Sequence, residues 1–124
     1  MDMLRTMPWA CLIAAAAPTA AAAQVAEADR AAFQTAATDF TGCLRATVQM
    51  GMTTKMDPAK FQEGFAKSCL EQEARFRGIA VKVAMASGRS ESAAQAEIDG
   101  NIANGRRAFA ADQESYIKTG KVPR

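Results

Sequence analysis

The chain has 124 residues, with 15 Lys+Arg, 13 Asp+Glu and no histidine, a length that holds one small domain. The lack of histidine excludes Ser-His-Asp and Cys-His catalysis and zinc sites that need His, and a net charge of +2 is too weak to argue for nucleic acid. The 49% hydrophobic fraction leans on alanine, so a core of small side chains is expected.

Residues 1–23 read as a secretory signal peptide. Met1–Pro8 carries Arg5, Trp9–Ala17 is an uncharged apolar run, Pro18 breaks it, and Thr19–Ala23 ends in small residues. Ala21 and Ala23 supply the small side chains that signal peptidase needs before a cut at Gln24. The apolar run is shorter than the roughly 20 residues a membrane helix takes, so no transmembrane span is expected after cleavage. Cys11 does not mark a lipoprotein, because Pro8, Trp9 and Ala10 do not resemble a lipobox. The expected destination is the periplasm or the medium. In that oxidising compartment the remaining cysteines, Cys43 and Cys69, read as one disulfide.

The expected domain covers 24–120, with a disordered tail over 121–124. A first helix is predicted from about Ala26 to Met50, since Phe33, Ala36, Ala37, Phe40, Cys43, Leu44, Thr47 and Val48 recur at helical steps. Gly51 is expected to end it. Met52–Met56 form a linker, and Asp57-Pro58 opens a second helix as N-cap and first-turn proline. Its stripe runs through Phe61, Phe65, Cys69, Gln72, Phe76, Ile79, Val83 and Ala86. The acid–base pairs Glu63–Lys67, Glu71–Arg75 and Glu73–Arg77 support it from outside. Ile79, Val81, Val83 and Met85 also alternate like a strand, but no other segment offers a strand partner, so helix is retained. Ser87-Gly88 ends this helix.

Ser90 or Ser92 caps the third helix. Ala94, Ile98, Ile102, Gly105, Phe109, Asp112 and Tyr116 carry its stripe, and Gly100 and Gly105 are expected to weaken or kink its middle. Gly120 stops it. The predicted fold is all-α: an up-down-up three-helix bundle with elongated helices and one inter-helix disulfide. The Cys43–Cys69 bridge closes a loop worth about 3.5 kcal/mol by the chain-entropy estimate. Its two ends differ in height by about 6 Å of helix rise, which the linker is expected to absorb.

No catalytic residue and no cofactor site is predicted. Met50, Met52 and Met56 are the only candidate metal ligands, since clustered thioethers select Cu(I); the alternative is that they cap the apolar end of the bundle. Glu71, Glu73, Arg75, Arg77, Arg106 and Arg107 gather in the middle of the second and third helices, with Glu71 expected level with Arg106. They read as a solvated ion-pair network, or as a patch for an anionic partner. The glycines Gly42, Gly64, Gly78 and Gly105 read as close helix contacts, or as a hinge or groove.

Thr41-Gly42-Cys43-Leu44 late in one helix, and Ala66-Lys67-Ser68-Cys69 within a long second helix, resemble a loose group of small secreted proteobacterial proteins of unknown function. The resemblance covers about half of the mature chain and implies a disulfide-linked helical hairpin, with no activity and no site residues. The function expected is that of a non-catalytic periplasmic or secreted helical protein that binds a protein or envelope component. A copper-handling protein using Met50, Met52 and Met56 is the alternative. A homo-oligomer is compatible with either, and no nucleic-acid partner is expected. The third helix, short of large apolar groups, is expected to be the mobile element. Its opening would expose a partner surface comprising Phe61, Phe65, Phe76, Arg106 and Arg107.

Overall fold

The computed structural model describes residues 20–124, with side chains described from Glu27 onward. The greater part of the expected signal segment, residues 1–19, lies outside the described residues. The described residues form four α-helices and no strand: α1 Ala20–Thr53, α2 Pro58–Phe65, α3 Leu70–Ala86 and α4 Glu91–Thr119. The chain is all-α, but the expected second helix is two. The alternating segment 79–85 is helical, as expected.

Gly51 does not end α1. The helix runs on to Thr53 with Gly51 buried inside it, because a side chain there would collide with Phe61: a Cβ would lie 2.5 Å from the ring. The stop is Lys55, in the left-handed region at φ 49°. Met56 N–H donates to Gly51 O at 3.0 Å and Lys55 N–H to Met52 O at 3.1 Å, the paired bonds that close a helix around a left-handed residue. Asp57 then caps α2, accepting from the N–H of Ala59 at 3.0 Å and Lys60 at 3.3 Å. Ser90 caps α4 by accepting from Ala93 N–H, and Gly120 ends it at φ 69°.

The split between α2 and α3 falls at Cys69, which takes φ 59° just before α3 begins. A non-glycine residue in this region carries a backbone cost, and here a covalent partner holds it in place. Cys43 and Cys69 form a disulfide with Cα atoms 5.9 Å apart. The height mismatch between the two cysteines is therefore taken up inside the descending leg, by a break over Ala66–Cys69, as well as in the linker. The break also removes the expected Glu63–Lys67 pair, whereas Glu71–Arg75 and Glu73–Arg77 form.

Side-chain contacts fix the register. Phe76 of α3 packs between Phe33 and Phe40 of α1, with centroids 5.6 and 5.7 Å away, and Lys82 pairs with Asp29 at 3.1 Å. Arg77 pairs with Asp99 at 2.7 Å and Arg89 with Glu97, so α3 and α4 run antiparallel. It follows that α1 and α4 run parallel, flanking the descending leg. The core is Phe40, Leu44, Val48, Phe61, Phe65, Ala80, Ile98 and Ile102. Apart from Ala80 it is built from large side chains, where composition led one to expect a core of small residues. Many of the alanines, such as Ala31, Ala46, Ala74, Ala93, Ala96, Ala103 and Ala108, are exposed on helix surfaces, where they favour helix without packing.

Two expectations about the third helix change. α4 is continuous through Gly100 and Gly105, and it touches α1, α2 and α3. It buries Ala94, Ile98, Ile102 and Gln113, whereas α3 buries only Ala80. The loosely held element by burial is α3, because its stripe of Phe76, Ile79 and Val83 is only half covered.

Candidate functional site

Two adjoining hollows lie along the parallel α1 and α4, and together they make up a groove. Its lower part is an apolar slot of about 240 Å³, lined by Phe33, Ala37, Phe40, Leu44, Phe76 and Gly105 among others. Its upper part is a wider mouth of about 590 Å³, where Arg45, Gln49, Asp112, Tyr116 and Arg124 bring polar groups. Phe109 lines both parts. Val122, Pro123 and Arg124 of the expected disordered tail stand as one wall of the mouth.

The slot exists because of where glycine falls in α4. Gly105 is half-buried and lines the slot, yet a Cβ built on it meets nothing within 4 Å. Every other turn of the stripe facing α1 carries a filling side chain, Ile98 and Ile102 below and Phe109 above. Gly42, Gly64 and Gly78 likewise have nothing within 4 Å, so none of these glycines is a close helix contact; that role belongs to Gly51.

The middle of the molecule is tied by Arg106. Its guanidinium donates to Glu73 Oε1 at 2.8 Å, to Phe65 O at 2.9 Å and to Ser68 O at 2.7 Å. It also lies 5.5 Å from the Phe40 ring centroid and 5.6 Å from that of Phe65. The level partner of Arg106 is therefore Glu73, not Glu71, and the two side chains are only 14% and 13% exposed. Arg106 supplies the donor for Ser68 O in the break after α2 and adds one to Phe65 O, which also accepts from the N–H and the hydroxyl of Ser68. Arg107, its neighbour, is exposed and bonds only Asn104 of its own helix. In this conformation Phe61 and Phe65 are buried at 3% exposure, and Phe76 is half-buried. Of the five residues expected to face a partner, Arg107 alone is on the surface.

Helix geometry separates the methionines. Met50 and Met52 lie two residues apart on α1, about 200° around the axis. Met50 is exposed while Met52 packs on the core, and Met56 follows beyond the Lys55 turn. The Met-x-Met pair thus cannot turn both sulfurs to one ion while it is helical.

Gln113 escaped the sequence reading. It is fully buried, and its Nε2 donates to Met56 O at 2.8 Å, tying the α1–α2 linker to α4. Its Oε1 has no partner among the described residues. Only its place one residue after Asp112, flanking the stripe, could have signalled it. Among the described residues no helix is long and apolar enough to cross a membrane. Comparison with protein-family models, with curated proteins and with solved structures finds no match to this chain.

Proposed function

We propose that this protein is a non-catalytic binding protein of the periplasm or the medium, and that its binding site for an envelope component is the α1–α4 groove. The observation that carries this reading is the open space above Gly105, a mid-helix position where a side chain would fit without contact. A glycine there costs about 1 kcal/mol of helix stability relative to alanine, and it leaves an apolar slot unfilled. The disulfide and the signal-like first 23 residues support an extracytoplasmic location. The groove offers one side-chain carboxylate, Asp112, and no paired acid and base among its lining side chains, so a role in binding fits it better than a role in catalysis.

Hydrogen exchange in the presence and absence of an envelope extract tests the reading. The extract should slow exchange along 37–53 of α1 and 101–116 of α4. Unchanged exchange in both segments would overturn the groove as the site.

A further inference from the structure

We infer that the occupant of the groove is a single-chain phospholipid with a zwitterionic head, its acyl chain in the slot and its head in the mouth. This rests on the groove being the binding site. The first argument is length. From Phe33 to Leu44 the slot side of α1 rises about 16 Å. One acyl chain spans half of a bilayer's hydrocarbon core, about 15 Å. The slot has aromatic walls from Phe33, Phe40, Phe76 and Phe109. α1, α3 and α4 line it, and at about 240 Å³ it is too small for two chains of that length.

The second argument is charge. Polarity rises along the groove: the slot is almost wholly apolar, whereas the mouth mixes Val48, Met52, Val122 and Pro123 with Arg45, Gln49, Asp112 and Tyr116. The mouth holds charges of both signs, the Arg45 and Arg124 guanidiniums against the Asp112 carboxylate and the terminal carboxylate of Arg124, with Tyr116 in the same lining. None of the three charged residues takes part in an ion pair among the described residues. A phosphate answers the guanidiniums, and an ammonium on a short arm answers Asp112. A head with phosphate alone would leave Asp112 facing like charge. A fatty acid would leave the mouth largely unfilled. Burial of the chain's methylenes supplies the affinity, and the head fixes the direction.

The test is a calorimetric titration of the oxidised protein with 1-lauroyl-lysophosphatidylethanolamine below its micellar concentration. Saturable binding is expected at one per chain. Glycerophosphoethanolamine, the head without the chain, should not bind. Lysophosphatidylglycerol with the same chain should bind several-fold more weakly, because it lacks the ammonium. Gly105→Leu should lose at least tenfold in affinity, and Arg45→Gln several-fold. A Cβ at 105 meets nothing within 4 Å, the space beyond it is the open slot, and leucine favours helix over glycine, so the melting temperature of Gly105→Leu should not fall. Equal or tighter binding of lysophosphatidylglycerol would overturn the zwitterionic head. Undiminished binding by a folded Gly105→Leu would overturn the slot. If no lysophospholipid binds but the envelope extract still protects α1 and α4, the lipid assignment falls and the groove stands. If neither acts, both fall.

Discussion

Arg106 and Arg107 are adjacent in sequence and opposite in consequence. Arg106 donates to one carboxylate and two carbonyls at a nearly covered position between two phenyl rings. Removing it strips Ser68 O of its donor and leaves the nearly covered Glu73 with only the longer Arg77 pair at 3.8 Å, and Arg106→Ala should cost about 3 kcal/mol in denaturant melts. Arg106→Lys should recover little, because an ammonium cannot span three acceptors as a planar fork does. Arg107→Ala should change stability by less than about 0.5 kcal/mol. The glycines divide in the same way. Gly51→Ala drives a methyl into the Phe61 ring and should destabilise by about 1–3 kcal/mol. Gly42→Ala meets nothing on an exposed face of α1 and should stabilise by about 0.5–1 kcal/mol. If both changes proved neutral, the close approach of Phe61 to α1 would be wrong.

At the scale of the helix, periodicity located the faces and failed at the ends. Every residue of the stripe from Phe33 to Val48 is buried or half-buried, and so is every residue from Ala94 to Tyr116. The Asp57-Pro58 and Ser90 starts are local chemistry, legible because a cap needs only its own neighbours. The stop at Lys55 and the break at Cys69 were not legible. Both are left-handed residues of ordinary side chain, held there by contacts across the fold: Phe61 against Gly51 in one case, the disulfide in the other. The relative burial of α3 and α4 was not legible for a related reason. Counting large apolar residues favoured α3 over α4, but α4 contacts every other helix and carries Arg106 and Gln113 as internal ties. Amides from Ile98 to Gln113 should therefore exchange no faster than those from Phe76 to Val83. Faster exchange in α4 would restore it as the mobile element and put the Phe61–Phe76 face back within a partner's reach.

Across the whole molecule, the bridge and the Arg106 anchor hold the descending leg against α1 and α4 over much of their length. Protein recovered from the periplasm should begin at or near Gln24 and yield a Cys43–Cys69 peptide on non-reducing digestion. Reduction should lower stability by about 3.5 kcal/mol on the chain-entropy estimate. Two free thiols, or a reduced form that melts with the oxidised one, would remove the bridge from this picture. The groove was only half visible in sequence. Gly105 stood out as a glycine on an apolar stripe, with contact and groove as competing explanations. Nothing in one sequence says whether the space beside a glycine is occupied by another helix or empty, since that depends on which side chains face it from α1.

The most direct measurement fills that space. Gly105→Leu should melt no lower than the wild-type protein, and it should abolish the slowing of exchange that an envelope extract produces along α1 and α4. A folded Gly105→Leu that keeps the full extract-dependent protection would contradict the groove as the binding site.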